Sequence, residues 1–392
     1  MSYAYLRESY NTSENYLKTN NPKGNPVLKR EPSEQKKEYD DRLDRCPIRN
    51  HIGLIVDRYN SSAIKADVER DSTWNGFYSN YESLFHEALK EAQIVGSSYL
   101  VCSLNNANRQ SEVDLKVFIV AQDSVVNYLE GELFAFSSWE NNKFNELAEF
   151  IIIYKSDGTW VKIDGKKDLV DSGVSGFKEL PVIKMNPQFP GISQVGLLAP
   201  IQESLINLLS IHMEESLQST FTRHLISGLS DIPQTYEDEQ QVQRMVSGKK
   251  LLLFKDPVTV SNLAADVGQA QNLLTAIEQT ENMLYAVAGM RLSEPVKESG
   301  LAKQIEMEQF NDIKSKLVTA LERAENSFMS LVMRAFGVSY DKSVYNYQTF
   351  NPTWSDRMSE LKELLSLGLS EEFYNKVKQE FERTYLLDEN KS

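Results

Sequence analysis

The longest unbroken apolar rhythm lies in the last third of the chain. From Leu301 to Phe336 there is no proline and no glycine. Apolar residues recur at Ile305, Phe310, Ile313, Leu317, Leu321, Ala324, Phe328, Leu331 and Ala335. Steps of three to five average to a helical period. Ser299 is placed to cap the start, and Gly337 to take the left-handed position after the end. At ~1.5 Å per residue the spacing predicts a helix roughly 54 Å long. An amphipathic rod of that length needs a large surface to lie against.

Taken in order, the chain begins with residues 1–35, polar and carrying Pro22, Pro26 and Pro32. This composition predicts an extended arm or a partly ordered segment. Residues 36–65 read as two short helices around Pro47, the second with Ile52, Leu54, Ile55 and Tyr59 on its apolar side. His51 falls here as a surface or packed core histidine, because no second ligand sits at a metal spacing. Phe77, Tyr81, Leu84, Phe85, Ala88, Leu89 and Ala92 predict one helix over 77–94, ended by Gly96. Strand patterns follow at 97–104, 113–121, 133–140, 149–164 and 182–186, rich in β-branched and aromatic residues. Asp157-Gly158 is a two-residue hairpin signal, and Asp164-Gly165 marks a second turn. Residues 66–190 therefore predict an α+β unit with a mostly antiparallel sheet.

Beyond it, 195–223 is helical, 225–229 a strand, and Thr235 with Asp238 suggests a capping box opening a helix. A second strand is expected at 249–254 and a helix from about Ala264 to Met290. Two long helices thus flank a small strand–helix–strand tip, the outline of a stalk with a head. The tail carries a strand at 343–350 and two helices, 355–367 and 370–385.

Composition narrows the function. The chain has 392 residues, enough for two or more domains. No apolar run reaches the ~18 residues of a membrane span. The first residues lack an apolar h-region, so no signal peptide is expected. Cys46 and Cys102 are the two cysteines, which suggests a reducing compartment without a disulfide framework. Net charge is −14, from 56 acidic and 42 basic residues. Proteins that grip nucleic acid are usually basic, so nucleic acid is either irrelevant here or passes without being held.

Catalytic signatures are missing. There is no phosphate loop, dinucleotide fingerprint, HExxH, CxxC or GxSxG. The histidines at 51, 86, 212 and 224 are scattered. These absences argue against an enzyme and imply no metal and no cofactor. The informative pattern is charge by segment. Between Gly196 and Thr222 the charged residues are Glu203, Glu214 and Glu215; between Ala264 and Met290 they are Asp266, Glu278 and Glu281. Both helices carry acids and no Lys or Arg. Facing nucleic acid, they repel it; facing only solvent and each other, they are ordinary surface acidity.

A resemblance separates these readings. EYDDRLDRCPIRNHIGLIVDRYNSS (38–62) resembles the helical opening of tailed-bacteriophage portal proteins. LFHEALKEAQIVGSSYLVCSL (84–104) resembles their helix–glycine–strand unit, and LLAPIQESLINLLSIHMEESLQSTF (197–221) their first stem helix. The stretch 275–309, above all ESGLAKQIE, is similar to the second stem helix, tunnel loop and start of the long wing helix. The order of parts matches over nearly the whole chain, although no single motif is diagnostic.

The resemblance implies a portal fold, α+β, with an N-terminal arm (1–35), an α/β wing (36–195), stem helices at 196–223 and 264–290, and a small α/β clip (224–263). A tunnel loop (291–300), a long wing helix with a wing strand (301–353) and short crown helices (354–392) complete it. It further implies a homo-oligomeric ring of twelve at one capsid vertex, a virion component assembled in the host cytoplasm, with no membrane. Double-stranded DNA passes through the ring during packaging and ejection. The ring docks the terminase large subunit, then a head–tail adaptor, and sits in the major capsid or scaffolding shell. On this basis Arg291, Ser293, Glu294, Lys297 and Glu298 face DNA. Glu203, Glu214, Glu215, Asp266, Glu278 and Glu281 form an acidic channel wall. Glu237, Asp238, Glu239, Lys249, Lys250 and Lys255 face the motor or adaptor. The competing readings are another non-enzymatic virion scaffold protein, and an enzyme using carboxylate-bound metal at Asp40, Asp41 or Glu237.

Overall fold

A computed structural model describes residues 2–13, 15–32, 34–104, 115–141, 147–189, 193–220, 224–227, 251–254, 267–290 and 300–346. Within them the chain is α+β. The long helix α8 runs Gly300–Phe336, 37 residues. It stops where expected: Gly337 has φ +71° and returns its N–H to the Met333 carbonyl at 2.9 Å. Ser299, the expected cap, lies outside the described residues.

The N-terminal segment corrects the sequence expectation. Instead of an extended arm, it forms helix α1 (Tyr3–Asn11) and a single 3-10 turn at Tyr16–Lys18. Tyr5, Leu6, Tyr16, Leu17, Val27 and Leu28 are buried in the same core as the long helix. A polar average concealed these anchors, which are few but large, and burying them outweighs the ordering of the polar residues between.

Helices α2 (Lys36–Arg45) and α3 (His51–Ile64) flank Pro47 as expected. Asn50 caps α3 by accepting the Gly53 N–H at 2.7 Å. Ile52, Ile55 and Tyr59 are buried, but Leu54 is exposed, so the apolar stripe is narrower than the sequence suggested. The single helix expected over 77–94 is two: α4 (Ser72–Tyr78) and α5 (Glu82–Val95). Asp71 starts α4 early by accepting the Thr73 and Trp74 N–H groups. Ser79 and Asn80 then turn their side chains back onto the Gly76 and Phe77 carbonyls, and these local bonds compete with continued helix. The break lets Trp74, Phe77, Tyr81 and Phe85 converge on Phe328 of α8, with ring centroids 5.4 to 6.1 Å away.

Gly96, at φ +103°, ends α5 and turns the chain into β2 (Ser98–Leu104). The expected sheet is two sheets. One has the order β3-β2-β9, with β3 Leu115–Ala121 and β9 Val182–Met185, all antiparallel. The other is a meander of β4 (Val125–Leu129), β5 (Leu133–Asn141), β6 (Leu147–Lys155), β7 (Thr159–Asp164) and β8 (Leu169–Val174). β4 and β8 had no clear sequence signal, being edge strands with exposed, irregular patterns. The Asp157-Gly158 turn requires its glycine on two counts. Gly158 sits at φ +78°, and a Cβ there would stand 1.8 Å from the Phe177 carbonyl oxygen. Tyr99 and Val101 face Phe134, Phe136 and Tyr154 between the two sheets, forming a second core.

Helix α6 (Gln194–Thr220) leads to β10 (His224–Ser227); β11 (Leu251–Phe254) precedes helix α7 (Val267–Val287). The two strands pair in parallel. Parallel strands need a crossover of about a dozen residues or more, which fits the helix expected between them; residues 228–250 lie outside the described set. A short strand β1 (Asp67–Glu69) pairs with β12 (Val344–Asn346), where the expected tail strand begins. The tail helices lie outside the described residues.

Candidate functional site

The candidate site is the pair of helices α6 and α7. They pack through Leu205, Leu209 and Ile277, with Leu208 beside them. Lower down, Leu198 and Ile206 of α6 and Leu284 of α7 enter the main core. The pair is thus rooted in the α+β body and projects toward the β10–β11 tip. Ile211, Met213, Leu274, Met283 and Val287 remain exposed apolar residues along it.

The acids on this pair are not equivalent. Glu203 is buried, 7% exposed. Its carboxylate accepts from the Tyr5 hydroxyl at 3.1 Å and the Asn21 amide at 2.8 Å, and Lys29 Nζ lies 3.5 Å away. Burial, then Tyr16 and Glu203, hold the Tyr5 phenol protonated well above its ordinary range. Glu203 therefore anchors the N-terminal segment rather than facing outward. Glu214 accepts Arg45 Nη2 at 2.6 Å and Nε at 3.1 Å. Glu281 accepts Arg49 Nη1 at 2.9 Å, with His51 Nε2 at 3.6 Å. Burial lowers the His51 pKa, with Glu281 pulling the other way. Its Nδ1 meets the Tyr285 hydroxyl at 3.0 Å. Glu215 is half-buried and Glu278 exposed.

Asp266 lies outside the described residues. So do Arg291, Ser293, Glu294, Lys297 and Glu298 of the expected loop, and Glu237, Asp238, Glu239, Lys249, Lys250 and Lys255 of the expected tip.

Segment-by-segment reading missed that α6 and α7 borrow their bases from residues 29–49. Arg42 and Arg45 lie in the last turn of α2 and Arg49 in the connection past Pro47; this cluster of three bases within eight residues was the available signal. Arg42 donates to Ser210 Oγ of α6 at 3.1 Å, and Arg45 and Arg49 meet Glu214 and Glu281. The Arg45–Glu214 pair is about one-third exposed, so Arg45→Ala should cost under about 1 kcal/mol. Thermal unfolding in low and high salt checks this, with the wild-type advantage shrinking as salt rises.

Other chemistry is sparse. Among the described residues no group of three or more His, Cys, Asp or Glu could hold a metal ion. Cys46 and Cys102 are free and buried. Burial pushes the Cys46 thiol up to about 11 and Cys102 higher still, the opposite of an activated nucleophile. No helix among the described residues is long and apolar enough to cross a membrane.

No family model matches the sequence, and no curated protein matches it. Among solved structures, the fold is similar to a chain from the virion of a native gene transfer agent particle. The identity is 10% and the TM-score 0.36, over 80% of this chain and 84% of that one. A superposition that shallow carries no argument about function.

Proposed function

We propose that the chain is a portal protein, a non-enzymatic ring at one vertex of a virion capsid. The observation that carries this reading is the sequence of parts. Two long helices packed on each other emerge from an α+β body. They are joined through a parallel two-stranded tip and followed by a 37-residue helix. In the proposed ring, α6 and α7 are the stem, β10 and β11 belong to the clip, and α8 spans the wing. Ile211, Met213, Leu274, Met283 and Val287 are then available to neighbouring copies. Head-to-tail contacts of this heterologous kind close into a ring when the rotation is right.

The ring conducts double-stranded DNA inward during packaging and outward during ejection. It docks the terminase large subunit and later an adaptor through the clip, with Lys249, Lys250, Lys255 and the acids 237–239 as candidate contacts. Twelve copies of a −14 chain carry about −168 formal charges. DNA carries one charge per ~1.7 Å of axis, so such a ring repels it as a whole. Because Glu203, Glu214 and Glu281 meet partners on their own chain, local repulsion at the stem falls mainly to Glu278 and Asp266. Arg291 and Lys297 are the candidate transient phosphate contacts.

Electron microscopy of the purified chain tests the reading. Rings with an open central channel are expected; solid assemblies would favour a scaffold role, and dispersed monomers at high concentration would contradict both. A narrower test concerns the loop. Lys297→Ala with Glu298→Ala should leave rings intact but lower nuclease-protected DNA in assembled particles. Loss of rings would make the loop structural instead.

A further inference from the structure

Strand β3 is an edge. Among the described residues it pairs with β2 only. The backbone parity of the sheet fixes which of its polar groups are left over. The Cys102 N–H donates to the Pro181 carbonyl at 2.8 Å, on the β9 side. Backbone groups alternate sides along a strand, so Tyr99, Val101 and Ser103 turn toward β3, onto Val120, Phe118 and Lys116. Val117, Ile119 and Ala121 must then present their N–H and C=O to the open edge. Leu115, of the same parity, supports this assignment: its carbonyl points outward and accepts the Tyr81 hydroxyl at 3.1 Å. That contact closes one end of the edge. The other three residues have no hydrogen-bond partner for these groups among the described residues.

The open edge forms one wall of a groove of about 700 Å³. Its floor is the inner face of the five-stranded sheet, with Phe136, Tyr154 and Trp160, and α5 with Glu87 and Glu91 lies across from that floor, on the other face of β3. The lining carries four acids, Glu87, Glu91, Glu140 and Asp171, against Arg7 and Lys162. Both bases are engaged: Arg7 with Glu91 at 3.0 Å and Asp123 at 2.6 Å, Lys162 with Glu140 at 2.6 Å. Glu87 and Asp171 are exposed and have no ion pair among the described residues.

We propose that this groove receives an extended segment of another protein as an added strand on β3. Main-chain bonds to Val117, Ile119 and Ala121 supply the affinity, and alternate side chains supply the selection. One set lies on the aromatic floor and is apolar. The other faces α5 and is basic, answering Glu87, with Asp171 favouring the same charge from the far end of the floor. The occupant is thus a strand of alternating apolar and Lys or Arg residues, about five long on the edge. An open edge beside an aromatic floor is otherwise a liability that folds usually cover or charge.

The test uses the full-length chain and a capped heptapeptide alternating lysine with valine or phenylalanine. A second peptide with glutamate for lysine is the control. Hydrogen exchange of the Val117, Ile119 and Ala121 amides, resolved residue by residue, is the readout. The lysine peptide should slow exchange there with a Kd below about 1 mM, and the glutamate peptide should not. Glu87→Lys with Asp171→Lys should weaken the lysine peptide about tenfold and admit the glutamate one. Ala121→Pro removes an outward N–H at φ −78°, a value proline accepts, and should weaken the lysine peptide without disturbing the ladder to β2. Absence of protection, or equal binding of both peptides to wild type and charge variant, overturns the proposal. So does slow exchange before any peptide is added. If that slowness rises with protein concentration, a second copy holds the edge; if it does not, the chain's own residues do.

Discussion

Replacing Glu325 by alanine should destabilise the chain by about 3–5 kcal/mol, the usual loss when one member of a buried ion pair is removed. Glu325 lies on α8 with a side chain that is 0% exposed. Arg70 donates to it through Nε at 2.9 Å and Nη2 at 3.0 Å, and Trp74 Nε1 at 2.9 Å. The Ser343 and Tyr345 hydroxyls complete the shell. One carboxylate thus ties the long helix to α4 and to the β1–β12 ribbon. Alanine leaves the Arg70 charge, itself 12% exposed, without its counterion. Glu325→Gln keeps the shape but turns an N–H₂ group toward donors, and should cost about 1–3 kcal/mol. Denaturant unfolding reads both.

The same carboxylate sets a pH dependence. Burial opposes its ionisation, but the bonds from Arg70, Ser343, Tyr345 and Trp74 together outweigh it, and its pKa is lowered. A lowered carboxyl pKa contributes stability that is complete above the unfolded-chain value of about 4.3. That stability drains as pH falls through the folded value. Wild type should therefore lose stability below about pH 4 more steeply than Glu325→Gln. Parallel curves for the two would show that the carboxylate is not ionised in the folded chain.

Ile313→Pro should cost ~3 kcal/mol or more. Position 313 is far inside α8, so proline removes the bond to the Gln309 carbonyl and its ring collides with that group. The damage falls at a tight contact. A Cβ on Gly289, just past α7, would lie 3.2 Å from the backbone of Gln309 and Phe310. A kink in α8 there separates the long helix from the end of α7 as well as from Tyr59, whose ring stacks on Phe310 at 4.7 Å. Unchanged thermal unfolding of this variant would mean that α8 is not one continuous rod.

How far the sequence spoke depended on the range of the interactions. The long helix was legible because its period, its lack of breakers and Gly337 are all local. The same holds for the Asp157-Gly158 hairpin and the halt at Gly96. The break between α4 and α5 was not, because Phe328, more than two hundred residues away, decides where Trp74 and Phe85 must point. Edge strands β4 and β8 escaped because an edge strand with exposed faces shows no alternation. The acids of α6 and α7 illustrate the same limit. Glu203, Glu214 and Glu281 read as a bare acidic wall only while Lys29, Arg45 and Arg49 are treated as belonging elsewhere. Net charge survives such pairing, but the local field does not.

The claim that matters most is that separate copies close around a hole. Native mass spectrometry of the purified chain, 44.7 kDa each, tests it most directly. One dominant closed species near twelve chain masses, about 540 kDa, is expected. A single 44.7 kDa chain at every concentration, or an open ladder of masses that never converges on one species, would contradict it.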